Sequence, residues 1–194
     1  MDATKPDEVK DAREIVKETV EDDGLTLLIN NMEVRQMQPF PYISRENLLY
    51  HFTVNTVGPI MVFQELYSSL LKAAGRKDVN SVMSVNRAMV LNITSISGSI
   101  TRTGKDSVHD LEVPGYKISK AALNMAMRNF AENVKGESIL VIMMCPGCEI
   151  KDAGTDQEEV GVEESVSNIL QTLPKLNEKH QGTYIDRNGN EYLF

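Results

Sequence analysis

The sequence predicts an α/β protein built on a doubly wound parallel sheet. Three observations carry this. Short apolar runs alternate with longer stretches of helical periodicity along all 194 residues. One run, Ser138-Ile139-Leu140-Val141-Ile142-Met143-Met144, is apolar on both faces, as strands of a sheet covered by helices on two sides must be. The order of elements reads α-β-α-β-α-β-α-β, which leads to parallel strands joined by helical crossovers.

Each element has its own signals. Thr4 and Asp7 form a capping-box-like pair, and Pro6 suits a first helical turn. Val9, Ala12, Val16 and Val20 then recur at helical spacing until Asp22-Asp23-Gly24, where Gly24 supplies a left-handed cap. Residues 25–30 read as a buried strand. Ser44 opens a long helix over 45–74, with Leu48, Phe52, Ile60, Phe63, Leu66 and Leu70 as its apolar stripe and Gly75 as its stop. Residues 88–93 are a second strand, and the polar, glycine-bearing stretch 97–115 is a loop. A third helix spans 116–134 and ends at Gly136. After the apolar third strand, Cys145-Pro146-Gly147-Cys148 turns the chain. An acidic helix with Val160, Val162, Val166, Ile169, Leu170 and Leu173 follows, and residues 182–186 are a last short strand. No repeat or linker interrupts the pattern, so residues 1–194 are expected to form a single domain.

Composition narrows the function classes. Hydrophobic residues make up 41% and charged residues 25%, a globular profile. The net charge of -8 and pI near 5.0 argue against nucleic acid as a partner, since phosphate binding needs a basic face. No apolar run reaches the length of a membrane span, and Met1-Asp2-Ala3-Thr4-Lys5-Pro6 has no signal-peptide core. A cytoplasmic location is expected. His51, His109 and His180 are too scattered to form a metal-ligand motif, so no metal site is expected. Cys145 and Cys148 have the spacing of a redox pair, but a Pro-Gly turn with incidental flanking thiols explains them more simply.

Three features carry chemistry. Tyr116 and Lys120, at i and i+4, share a helical face. An ammonium beside a phenol is expected to lower its pKa and make the Tyr a usable general acid. The spacing alone is weak evidence, with a chance expectation of about 0.4 in this chain. Ser95 follows a strand's C-terminal end, where open parallel sheets bind ligands, and its hydroxyl is suited to a carbonyl oxygen gaining negative charge. Asn55 interrupts a long helix, where it can hold a water or bend the chain.

Taken in order, these residues resemble the short-chain dehydrogenase/reductase family. Leu28-Ile29-Asn30-Asn31 looks like the start of the family's Asn-Asn-Ala-Gly motif. Asn55, Ser95, Tyr116 and Lys120 match its catalytic Asn, Ser, Tyr and Lys. Pro146-Gly147 matches the turn beside the nicotinamide. Residues 24–31, 116–125 and 182–189 narrow the resemblance to C-factor and sniffer-like carbonyl reductases. The resemblance implies a Rossmann-type sheet, a small-molecule carbonyl substrate, and NADP(H) rather than NAD(H) as hydride source. Tyr116 would give the proton, Lys120 would lower its pKa and hold the nicotinamide ribose, Ser95 would steady the carbonyl and Asn55 would hold a relay water. Asp2, Asn30, Asn31, Tyr116, Lys120, Pro146 and Gly147 would contact the cofactor. A homodimer through the long helices 45–74 and 116–134 is the implied assembly.

The departures are as specific. The family's first strand, glycine-rich phosphate turn and second strand have no counterpart in these residues, and no G-x-G-x-x-G occurs. A truncated sheet of about four strands is therefore expected, with 25–30 as an edge prone to pairing. Where the family has Asn-Ala-Gly, this chain has Asn31-Met32-Glu33, which places bulk and negative charge toward a polyanionic ligand. Lys151 replaces a cofactor-contacting Thr, and Cys148 an aromatic. Two function classes stay open: an NADP(H)-dependent carbonyl-reducing oxidoreductase, and a non-catalytic family member, or chain lacking its natural start, that acts through protein–protein contacts.

Overall fold

The computed structural model describes residues 1–76, 82–104, 112–147 and 161–194. Strands β1 (Leu27–Asn30), β2 (Met89–Ile93), β3 (Leu140–Cys145) and β4 (Tyr184–Asp186) form one sheet in that order, and every pairing is parallel. Between them run α1 (Pro6–Val20), α2 (Arg45–Phe52), α3 (Gly58–Ala74), α4 (Pro114–Asn133) and α5 (Val162–Thr172).

Strand alternation divides the core in two. Val90, Val141, Met143 and Tyr184 face Val62, Phe63, Leu66 and Leu70 of α3 and Leu123 and Met127 of α4. Met89, Leu91, Leu140, Ile142, Met144 and Ile185 face the other way, onto Met83, Leu173 and Leu176. Both faces are covered, so all of β2 and β3 is buried. This is the doubly wound arrangement that the continuous apolar runs predict. β1 is an edge of the described sheet, and its Ile29 is 46% exposed.

Local chemistry moves several boundaries. Lys5, not Thr4, is the N-cap of α1 and makes no side-chain cap. The Thr4 amide and hydroxyl are both taken by Asp2 Oδ1, at 2.9 and 2.7 Å. The long helix is not continuous. Ser44 caps α2 by accepting from the Asn47 amide at 3.1 Å, but residues Thr53–Val57 form a π-helical turn before Pro59 restarts the α-helix in the first turn of α3. α4 begins at Pro114, whose missing N–H costs nothing in a first turn. Gly136 does not end it: the chain passes through a short 3-10 turn, Lys135–Glu137, and Ser138 takes the left-handed conformation with φ 61°. Val160 of the expected acidic helix lies outside the described residues.

α1 ends at Val20 with Glu21 as its C-cap, at φ 41°, so Gly24 is not the cap that its position suggests; it turns the chain three residues later, at φ +74°. A Cβ there would run into the Ala73 backbone nitrogen and lie 2.7 Å from the Ser69 carbonyl. The turn thus lets α1 return tightly beneath α3, where the Leu25 amide donates to Ser69 O at 2.8 Å. Gly24→Ala combines a strained φ with a backbone clash. It is expected to lower stability by about 1–3 kcal/mol, read as a lower urea midpoint with unchanged slope.

Candidate active site

The C-terminal ends of β1, β2 and β3 carry a belt of polar side chains. Asn30 Nδ2 donates to Asn92 Oδ1 at 2.9 Å, and Asn92 Nδ2 to the Ile142 carbonyl at 3.4 Å. Asn30 Oδ1 and Thr94 Oγ1 are buried there without a hydrogen-bond partner among the described residues. This is the sheet edge at which open parallel sheets bind ligands.

α4 brings Tyr116 and Lys120 to that edge. Lys120 has no exposed surface and Tyr116 is 5% exposed. Lys120 Nζ donates to the Ile93 carbonyl at 3.1 Å and pairs with Glu33 Oε2 at 2.8 Å. The Tyr116 hydroxyl donates to the same Glu33 oxygen at 3.1 Å. Arg35 lies over the Tyr116 ring at 5.8 Å, and Lys120 Nζ is 5.6 Å from the ring centroid. Ser95, just past β2, acts on the Tyr116 hydroxyl in the direction that lowers its pKa. Its own Oγ accepts from the Ser97 amide at 3.2 Å, and its carbonyl accepts from the Tyr184 hydroxyl at 2.6 Å.

The expected lowering of the Tyr116 pKa is corrected by this geometry. Burial pushes the phenol up, and the Glu33 carboxylate on its hydroxyl pushes it further. Ser95 and Arg35 oppose this without reversing it. Burial also pulls the Lys120 ammonium down, against the Glu33 charge that holds it up. The ammonium that sequence spacing assigns to the phenol is instead neutralised by Glu33.

Asn55 sits in the π-helical turn, fully buried. Such a turn opens the helix by one residue and is frequent at functional sites. Here it turns the Asn55 amide onto the segment after β1. Oδ1 accepts from the Val34 amide at 2.7 Å, while Nδ2 donates to the Val34 carbonyl at 2.9 Å and to Ser119 Oγ at 3.0 Å. These bonds use both donors of the side chain and engage its oxygen, so it clamps the backbone of the segment after β1. The neighbouring Thr56 hydroxyl donates to the Ser119 carbonyl at 2.9 Å, fastening the turn to α4. A second clamp stands one helical turn earlier. His51 Nε2 accepts from the Gln36 amide at 2.9 Å while Nδ1 faces the Asn47 carbonyl at 2.8 Å, so Nδ1 carries the proton. Val34 and Gln36 are thereby pinned, which aims Glu33 at Tyr116 and Lys120.

The other expected contacts are spread more widely. Asp2 is at the surface with Thr4 and Lys5. Ala3, beside it, lies near Gly58 together with Met32. Asn31 is exposed. The Pro146 carbonyl accepts from Ser165 Oγ at 2.7 Å, and Gly147 takes φ +102°, where a Cβ would meet the Arg187 guanidinium. Cys145 Sγ accepts from the Ile96 amide at 3.2 Å. Cys148, Lys151 and His109 lie outside the described residues. Among the described residues no group of side chains could hold a metal, and no helix is long and apolar enough to cross a membrane.

Sequence reasoning missed Arg35, His51, Ser119 and Tyr184, and the contact made by Glu33. The one local signal was His51 four residues after Asn47 on a helix; the others meet only through the fold. Asn55→Ala removes the clamp and leaves buried polar groups unpaired. A stability loss of about 1–3 kcal/mol is expected. Amide hydrogen exchange should also accelerate locally at Val34, beyond what the global loss explains.

With this geometry in place, relatives are informative. The short chain dehydrogenase family profile matches residues 1–159. C-signal of Myxococcus xanthus is 28% identical over 140 residues, covering 72% of this chain and 74% of that protein. Two further curated relatives are matched over only 56% and 50% of their length. Among solved structures, Sniffer of Caenorhabditis elegans is 32% identical with a TM-score of 0.87, covering 99% of this chain and 75% of that one. The NADPH-bound carbonyl reductase from chicken fatty liver is 30% identical with a TM-score of 0.89, covering 100% and 72%. A profile match over most of the chain, with the same fold at about this identity, leads to one conclusion: this chain belongs to the short chain dehydrogenase family.

Proposed function

We propose that the chain carries the proton-donating side of an NADP(H)-dependent carbonyl reduction. The observation that carries this reading is convergence: Tyr116 OH and Lys120 Nζ reach a single oxygen position. The likeness to an NADPH-bound carbonyl reductase supports both the cofactor and the substrate class.

The residues fit the nicotinamide–ribose end of such a dinucleotide. Glu33 Oε2 stands where a ribose hydroxyl oxygen would accept from Tyr116 and Lys120. The unpartnered Asn30 Oδ1 and Thr94 Oγ1 are spare polar positions on the same edge, and at the third strand's exit Gly147 leaves room for the Arg187 guanidinium. When bound, the dinucleotide supplies a hydride to the carbonyl carbon.

The chain's own residues do the rest. Ser95 Oγ–H donates to the carbonyl oxygen as it gains negative charge. The Tyr116 hydroxyl transfers its proton to that oxygen, so hydride and proton together convert C=O to CH–OH. The phenolate left behind is stabilised by Lys120, whose ammonium is held by the Ile93 carbonyl. Asn55 orders the loop in front of the site and ties it to α4 through Ser119.

Titration of the purified chain with NADPH and NADH by fluorescence tests the reading, with NADPH expected to bind more tightly. Tyr116→Phe should lower reduction of an aromatic aldehyde about 100-fold or more, the contribution of a positioned general acid, with a far smaller loss of NADPH affinity. Absence of dinucleotide binding at millimolar concentrations would instead favour a non-catalytic family member.

A further inference from the structure

Glu33 is the unusual member of this site. It stands on the segment between β1 and α2, outside any helix or strand, with 43% of its side chain exposed. One carboxylate oxygen nonetheless serves both the buried Lys120 ammonium and the buried Tyr116 hydroxyl. The placement follows from the backbone, because Asn55 fixes both polar groups of Val34, the next residue. The charged and titratable groups around the contact are Arg35 from the same segment, Tyr116 and Lys120 from α4, and Cys145 at the end of β3, with the Ser95 hydroxyl alongside.

We propose that Glu33 is a tethered internal ligand of the Tyr116–Lys120 pair, and that any hydroxyl-bearing ligand must displace its carboxylate to reach these two side chains. The identity of that ligand as a dinucleotide ribose rests on the function proposed above. The exchange is physically balanced. A buried ammonium cannot be left unpaired without a large penalty, so the carboxylate holds the site until another oxygen replaces it. Its exposed side allows it to leave by side-chain rotation alone, with Val34 still clamped. A dinucleotide brings negative phosphates, so the departing carboxylate is also repelled from the site. The apparent affinity is then the intrinsic one multiplied by the fraction of time the pair is free of Glu33. Glu33 thus sets what the pair accepts: a ligand must offer Lys120 an oxygen to replace the carboxylate.

Two measurements on the full chain test this, one independent of the cofactor. The first is acylation of Lys120 by a small N-hydroxysuccinimide ester at pH 8, followed by peptide mass spectrometry, with exposed Lys135 as internal reference. Glu33→Ala is expected to raise the Lys120 rate relative to Lys135 at least fivefold, because the amine becomes accessible and loses the charge that keeps it protonated. Glu33→Gln should fall between Ala and the native chain. An unchanged Lys120 rate would overturn the proposal whatever the dinucleotide does. The second is the NADPH titration, where Glu33→Ala should tighten binding roughly fivefold, the scale of losing one partly exposed ion-pair competitor. Unchanged or weakened binding would overturn the proposal by making Glu33 a partner of the ligand rather than its competitor. Faster labelling with no dinucleotide binding by either protein would leave the internal-ligand assignment standing and remove the reductase reading.

Discussion

A protonated amine taken out of water has to be paired, and Lys120 is taken out completely. Among the described residues, the surrounding segments bring it the Ile93 carbonyl at the end of β2 and the Glu33 carboxylate beyond β1. Three separate pieces of chain therefore meet at one atom. Tyr116 is drawn into the same contact because it shares an oxygen with Lys120, one helical turn away on α4. Much of what is distinctive about this edge of the sheet follows from how that single charge is satisfied.

The supporting structure is arranged so that this contact has little freedom. β2 and β3 are covered on both faces, which makes the sheet a rigid platform and leaves its C-terminal edge as the place for polar groups. The π-helical turn gives Asn55 an inward position that a regular helix would have distributed differently around its axis. From there Asn55 ties Val34 to Ser119, and His51 ties Gln36 to the same helical rod. The segment after β1 has no regular secondary structure, yet its backbone is held by side chains instead of by a ladder. That substitution is why a loop carboxylate can be aimed at a buried pair.

The electrostatic balance has a functional sense. A proton donor needs its proton until the substrate oxygen gains charge, and it needs its phenolate stabilised afterwards. With Glu33 in contact, the first condition is met and the second is opposed, since the carboxylate neutralises the ammonium. In the proposed reduction Tyr116, Lys120, Ser95 and Asn55 each have a role; the carboxylate among them comes from Glu33, on the segment after β1.

The fold class was readable because long-range burial leaves a local mark: strands covered on both sides must be apolar throughout, and residues 139–144 are. Helix positions were readable from spacing, and so were the turn at Gly24, though not the cap of α1 at Glu21, and the cap at Ser44, which depends on a few neighbouring residues. The exact caps at Lys5 and Ser138 were not, because Asp2 competes for Thr4 and the backbone after α4 relaxes through a 3-10 turn. The π-helical turn was suggested only by a poor helix former at Asn55. Tyr116, Lys120, Ser95 and Asn55 were nameable from order and spacing. How they are paired was decided by tertiary structure alone. Glu33 lies 83 residues from Tyr116, and no local pattern can encode a contact across that separation. The sequence by itself determined which groups could do chemistry and on which elements they ride; the three-dimensional packing decided the charge each one feels, because a pKa depends on burial and on partners that only the folded chain brings within reach.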